Sequence, residues 1–204
     1  MKLYSYPSPN PQKVHFALLE LGLDCEIVPV NLGRGEMRQP EFLALNPTGR
    51  VPVLADGALT LWESHAILVY LGDKTGRLWP TSAAGRADAL RWLFFMSSHF
   101  SPPATDLGFN RFAAKNLGIP SDEDAITRAE KALPASLGII EGQLTNNGWL
   151  LGDDFSLVDC AYSPMLNLIE KAGYGLGQFP RVEAYLNACR ARPAWKETPK
   201  LPGL

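Results

Sequence analysis

The chain has 204 residues, 46% hydrophobic and 20% charged, with a formal net charge of −2. That length suffices for one large domain or two small ones with real cores, and the charge balance offers no basic footprint for nucleic acid or an anionic membrane. No apolar run approaches the ~20 residues of a membrane span, and the N-terminal MKLYSYPSPN has no apolar signal core, so the expectation is a cytoplasmic protein with neither a nucleic-acid nor a membrane partner. Cys25, Cys160 and Cys189 are odd in number and far apart, and His15, His65 and His99 show no ligand spacing. Neither a disulfide framework nor a metal site is expected.

In chain order, residues 2–6 predict a strand carrying Leu3, Tyr4 and Tyr6. Asn10 followed by Pro11 predicts a helix start, a capping residue with proline at the first helical position. Val14, Ala17, Leu18 and Leu21 then recur at i, i+3, i+4 and i+7, and Gly22 ends the helix. A second strand over 26–30 completes a βαβ unit, and Pro29 within it predicts a place at the sheet edge. Residues 31–45 are polar and irregular, with a short helix expected near 41–44.

The stretch from Asn46 to Tyr70, NPTGRVPVLADGALTLWESHAILVY, carries the most information. Two short apolar runs, one through Val51, Val53 and Leu54 and one over 58–62, flank Asp56-Gly57, which predicts a hairpin with a type I′ turn. Glu63-Ser64 then precede Ile67, Leu68, Tyr70 and Leu71 at helical spacing, stopped by Gly72, with Ser64 as the expected N-cap. Free N–H groups at such a helix start attract a carboxylate, and the Glu63 charge beside them suits an ammonium. The two together suit an α-amino acid. Pro52 has two readings: a trans proline opening an edge strand, or a cis bond that turns the chain and leaves the backbone of Val51 facing outward, ready to pair with an extended peptide.

Beyond this βαβ–ββα unit the polar run after Asp73 reads as a linker, and everything after it as helical. Leu90, Leu93, Phe94 and Ser97 mark one face of a long helix that reaches Phe100 and is broken by Pro102-Pro103. Ser121-x-x-Asp124 predicts the start of a second long helix, with Pro134 inside it predicting a kink. Ser156-x-x-Asp159 predicts a capped helix start worth roughly 1 kcal/mol. A last helix spans 179–190 with Val182, Tyr185, Leu186 and Cys189 inward, and Pro193 ends it.

The sequence NPTGRVPVL followed by Glu63-Ser64, together with the loop Ser8-Pro9-Asn10-Pro11, resembles the soluble glutathione transferases of the serine type over nearly the whole chain. The resemblance implies an α/β plus all-α architecture. A thioredoxin-like glutathione-binding domain would occupy 1–75, a linker 76–84 and an all-helical domain 85–204. It implies glutathione as co-substrate, a small hydrophobic electrophile and a homodimer. Ser8, five residues before Lys13, matches the family's thiol-contacting serine, and Asn10 matches the asparagine of a Pro-Asn tetrad in a bacterial and fungal subset; these two are the catalytic candidates. Glu63 and Ser64 match the pair that holds the γ-glutamyl end, Val51 the residue whose backbone pairs with the cysteinyl portion, and Arg50 a cation near the glycyl carboxylate. Phe100 and Phe112, in an aromatic-rich stretch with Met96 and Phe109, are expected to line the electrophile pocket, with plain helix core as the other reading. The loop at Ser8 has no cysteine, which argues against thiol–disulfide exchange through a protein cysteine there. Two alternatives to conjugation stay open: glutathione-dependent disulfide or peroxide reduction, and glutathione binding without turnover.

Overall fold

The structure, a computed structural model, describes residues 1–114 and 118–199. Four strands, β1 (Lys2–Ser5), β2 (Glu26–Pro29), β3 (Val53–Asp56) and β4 (Leu59–Trp62), form one mixed sheet in the order β2-β1-β3-β4. β1 and β2 are parallel, with Leu3 opposite Ile27, while β1–β3 and β3–β4 are antiparallel. Pro29 thus sits on an edge strand, where its missing N–H costs no ladder bond.

The crossover between β1 and β2 is helix α1 (Pro9–Leu21), which begins two residues before the Asn10–Pro11 start that local sequence suggests. Ser8 takes the cap position with extended backbone (φ −145°, ψ 163°), and Pro9 opens the helix. Both Ser8 and Asn10 are competent caps followed by proline; β1 ends early enough for the first to be used. At the other end Gly22 adopts the left-handed conformation expected of it, and its N–H and that of Leu23 close on carbonyls of the last turn. Val14, Ala17, Leu18 and Leu21 are buried as the spacing predicts, but so are Gln12, Lys13, His15 and Phe16. Packing on both sides explains it: α1 lies between the sheet with α3 (Ser64–Thr75) and a helix of the second half of the chain.

The β3–β4 turn falls at Gly57-Ala58, one residue later than Asp56-Gly57. Asp56 pairs with Leu59 as the last strand residue, and of the two turn residues only Gly57 has positive φ, 59°. Glycine at the first central position with an ordinary residue at the second is the sign pattern of a type II′ turn, not type I′. Asp56 is thereby free to accept from the Tyr70 hydroxyl at 2.7 Å and to pair with Lys74, fastening the hairpin to α3. A short helix α2 (Pro40–Leu45) covers the other face of the sheet through Phe42, Val30 and Val53.

The helical part begins with α4 (Ala83–Phe95), capped by the Ser82 hydroxyl, which accepts from the Gly85 N–H. Pro102-Pro103 do not break the chain there. A π-helical turn, Met96–Phe100, leads into α5 (Ser101–Gly108), where both prolines occupy first-turn positions, and a second π turn spans Phe109–Ala113. The His99 carbonyl, which Pro103 cannot serve, accepts from the Ser136 hydroxyl at 3.3 Å. Next, α6 (Glu123–Gln143) starts from Asp122, whose carboxylate accepts the Ala125 N–H at 2.9 Å; the expected Ser121 cap instead donates to the Asn110 carbonyl. Pro134 lies inside α6, which continues past it to Gln143.

Helix α7 (Leu157–Lys171) is the hub of the core, buried nearly throughout. Its first turn is held by Asp159, which accepts from the Ser156 N–H and hydroxyl, both at 2.7 Å, from the Leu150 N–H at 3.0 Å and from the Tyr185 hydroxyl at 2.9 Å. α8 (Pro180–Ala191) buries Val182, Tyr185, Leu186 and Cys189. Pro193 ends α8 and opens α9 (Pro193–Glu197), whose Trp195 meets Phe16 of α1 edge-on at 5.4 Å. No helix among the described residues is long and apolar enough to cross a membrane.

Candidate active site

Two helix N-termini, those of α1 and α3, meet the loop before β3 around a small cavity of about 60 Å³. Asn10, Asn46, Thr48, Arg50, Val51, Pro52, Glu63 and Ser64 line it. Five of the site residues expected from the sequence are therefore brought together, although they come from three separate segments.

At α1 the prolines leave little backbone to spare. Pro9 and Pro11 have no N–H, and the Ser8 N–H is taken by the Tyr6 carbonyl at 2.7 Å. Of the first-turn amides only that of Asn10 has no acceptor among the described residues. The Ser8 hydroxyl points back at the Tyr6 carbonyl over a long 3.5 Å and caps nothing. A helix terminus with a spare amide, a spare hydroxyl and an exposed asparagine side chain is an array of donors for an anion.

The loop before β3 is shaped by Asn46, which sequence reasoning passed over. Buried at 2% exposure, it donates to the Arg50 carbonyl at 2.7 Å and accepts from the Thr48 N–H and hydroxyl at 3.0 and 2.8 Å. The signal was the Asn-Pro-Thr-Gly run itself, a side chain substituting for backbone in a tight loop. Gly49 completes it at φ 62°, where a Cβ would stand 2.9 Å from the Arg38 guanidinium and 3.0 Å from the Met37 carbonyl. The Val51–Pro52 bond is cis, and Val51 lies ahead of the β3 ladder and lines the cavity.

At α3 the cap is Glu63, not Ser64. Glu63 has φ 72° and ψ 110°, one of two non-glycine residues with positive φ among those described, and Ser64 is the first helical residue. The left-handed backbone is unfavourable for a residue with a Cβ, and its effect is to turn the chain sharply between β4 and α3 so that carboxylate and free helix amides border the same space. An acidic side chain does stand beside the helix N-terminus, with the positions of the two residues in the helix shifted by one.

Beneath Glu63 lies a charge that the sequence had marked only by its spacing. Lys13 is 1% exposed, and its Nζ lies 3.2 Å from Nε2 of His65. On the other side of the ring, Nδ1 lies 2.8 Å from the Ser97 hydroxyl, which itself donates to the Leu93 carbonyl at 3.0 Å. Since Ser97 spends its proton on Leu93, Nδ1 carries the imidazole proton and Nε2 accepts from Lys13. Burial lowers the Lys13 pKa to about 7 against the pull of Glu63, and burial next to that ammonium lowers His65 to about 2. Burial pushes all three cysteine thiols up, so no protein cysteine is a ready thiolate.

The expected electrophile residues fare differently. Phe100 is fully buried, stacked on Tyr162 at 5.9 Å, because the π turn beginning at Met96 shifts the helical phase and swings it into the core. Met96 is core as well, and Trp92 is 5% exposed. Phe112 is half-buried against the core cluster, and Phe109 remains 41% exposed. His99 is exposed and stacks on Phe95. The predicted helix face, Leu90, Leu93 and Phe94 of α4 with Ser97 of the π turn, instead lines an apolar groove of about 580 Å³ against Leu61, Ala66, Val69 and Tyr70. Glu63 and His65 border this groove too.

Comparison with known proteins bears on the whole chain. Residues 1–73 match the family model for the glutathione S-transferase N-terminal domain, and residues 89–193 that for the C-terminal domain. Glutathione S-transferase 3 of Zea mays is 38% identical over 207 residues, covering 97% of this chain and 92% of the relative. The disulfide-bond oxidoreductase YfcG of Escherichia coli is 32% identical, covering 94% and 91%. A crystal structure of a glutathione transferase from Burkholderia graminis, with two glutathione molecules bound per subunit, superposes with a TM-score of 0.87 at 38% identity, covering 97% of this chain and 86% of that one.

Proposed function

The chain belongs to the glutathione S-transferase family, and on that premise we propose that it binds glutathione in the cavity between α1 and α3 and activates its thiol for attack on a small apolar electrophile. The observation that carries this is the convergence of Asn10, Arg50, Val51, Glu63 and Ser64 on one cavity at two helix N-termini. Glu63 receives the γ-glutamyl ammonium, and Ser64 with the free amides of α3 receives the adjoining carboxylate. Arg50 faces the glycyl carboxylate at the other end of the peptide. The backbone of Val51 pairs with the cysteinyl portion, which aims the sulfur at Ser8 and Asn10.

A free thiol has a pKa of ~8.5 and is mostly protonated at neutral pH. Each unit of lowering requires about 1.4 kcal/mol of preference for the thiolate, within reach of one charge-assisted hydrogen bond at a helix N-terminus. Ser8 and Asn10 supply that preference without accepting the proton. This is serine-type chemistry, carried out in the cytoplasm, with Phe112 the aromatic of the predicted pair still near a surface for the electrophile.

Titration of thiolate absorbance in the glutathione complex tests the assignment. Wild type is expected to hold the thiol about one to two units below its free value. Ser8→Ala or Asn10→Ala should return most of that shift, and an unshifted thiol in wild type would remove the transferase reading.

A second reading keeps the site and changes the acceptor: reduction of a disulfide with both thiols supplied by glutathione. The Pro9-Asn10 resemblance, the Escherichia coli relative and the two glutathione molecules in the Burkholderia structure favour it, and with no cysteine in the Ser8–Pro11 loop neither thiol comes from that loop. The protein acts as a homodimer in either case. Phe94 is 67% exposed and lines a groove of apolar side chains with Leu61, Ala66, Val69, Leu90 and Leu93. Phe94→Asp should convert a dimer into a monomer in sedimentation; a wild-type monomer would exclude the proposal.

A further inference from the structure

Helices α1 and α3 each bring unanswered backbone donors to the cavity. On α3 the N–H groups of Ser64, His65 and Ala66 have no acceptor among the described residues, and the first backbone bond runs from Ile67 to the Glu63 carbonyl. On α1 the spare amide is that of Asn10. A ligand gripped by both turns needs their separation held to about 0.5 Å. The two helices pack together, yet among the described residues one hydrogen bond joins them, from the Lys13 amine to Nε2 of His65 at 3.2 Å. Among those residues it is also the only hydrogen bond of the Lys13 amine, although Lys13 is shut away from water. Lys13 follows Asn10 by three residues, on the same side of α1, and His65 is the second residue of α3. The bond therefore ties the helices at the ends that border the site.

His65 is itself fixed from the far side. Its Nδ1 lies 2.8 Å from the hydroxyl of Ser97, in the π turn after α4, and Ser97 donates onward to the Leu93 carbonyl at 3.0 Å. That order of donors leaves the Nε2 lone pair for Lys13. An amine donates whether charged or neutral, so the link outlasts the titration of Lys13 near pH 7, while burial keeps the imidazole neutral. We propose that His65 is a positioning residue of the glutathione site: its ring, set by Ser97, holds the donors of α3 in register with those of α1. A peptide bound at α3 by its γ-glutamyl end then reaches α1 with its sulfur on Ser8 and Asn10. The inference rests on the reading of this cavity as the glutathione site.

Two readings on the folded protein test it: calorimetric affinity for S-methylglutathione, and thiolate absorbance of bound glutathione against pH. His65→Phe keeps a ring and removes both nitrogens. It should weaken S-methylglutathione about three- to tenfold and move the bound thiol back towards its free pKa. His65→Gln, whose carbonyl can take the place of Nε2, should restore most of both. Ser97→Ala should shift both readings in the same direction by less, since the Lys13 bond remains. A merely structural ring would lower the unfolding midpoint and leave affinity and thiol pKa unchanged, and that result overturns the inference. So does a wild-type His65 found as the Nε2–H tautomer by ¹⁵N resonance. If His65→Phe does not fold, Ser97→Ala at its exposed hydroxyl and the tautomer decide the matter. Glu63→Gln separates the two layers. If it binds S-methylglutathione as tightly as wild type, the cavity is not the glutathione site and the inference falls with it. If it weakens binding and His65→Phe does not, only the role of His65 is lost.

Discussion

Lys13 and Asp159 are both shut away from water, at 1% and 0% exposure, and each lies near the start of a helix that crosses the middle of the molecule. Their surroundings are opposite. Asp159 accepts four hydrogen bonds from the 150s loop, the α7 cap and α8. Burial raises its pKa while those donors pull it down, Leu150 first. Lys13 has three N–H donors, yet burial outweighs the help of Glu63 and carries its pKa down to about 7. A buried charge with a full set of partners fixes a fold, because removing it strands every partner. One left short of partners costs stability.

The largest effect should come from Asp159→Ala. It leaves four buried donors unanswered, and should cost about 3–5 kcal/mol, a drop of roughly 10 °C or more in Tm for a chain of this size. A loss under about 1 kcal/mol in urea unfolding would mean that the network is not what holds α7.

Lys13→Met should do the reverse, and on a smaller scale. The folded pKa of about 7 lies below the ordinary lysine value of 10.5. Between those two values the unfolded chain holds a proton that the folded protein has given up, so wild-type stability rises with pH across that window. Below it both states are charged and the cost of burial stands in full. The variant should therefore be more stable than wild type by more than ~1 kcal/mol at about pH 6, roughly 2–4 °C in Tm. The gain should fade as pH approaches the upper end of the window. Equal destabilisation at every pH in thermal scans would make the ammonium a structural group like Asp159, and the distinction between the two would collapse.

Much of the molecule was legible because local patterns and tertiary demands agreed. The buried face of α1, its Gly22 stop, the edge placement of β2 and the Asp159 cap each follow from a few neighbouring residues. Errors gather at helix starts. Ser8 rather than Asn10, Glu63 rather than Ser64 and Asp122 rather than Ser121 occupy the caps. At the first and third of these, two nearby residues are both plausible caps by composition and the path of the preceding segment selects one; Glu63 is no favoured cap, and the sharp turn out of β4 puts it there. The helix after the linker failed for another reason. Pro102-Pro103 carry a strong breaking signal, but a π turn places them where missing N–H groups are harmless, and the added residue rotates Phe100 from the expected pocket into the core.

By itself the sequence determined the order of strands and helices, the segments that contain the site, and the pairing of an acid with a helix start at Glu63-Ser64. These depend on spacing and residue type along a few neighbouring positions. Only the tertiary structure decided that Asn10, Arg50, Val51 and Glu63 border one cavity, that Asn46 braces it, and that Lys13 is a stranded charge and not a surface lysine. The reason is physical. Burial and electrostatic coupling depend on which elements pack together, and α1 is enclosed on both sides by partners up to 186 residues away in the chain.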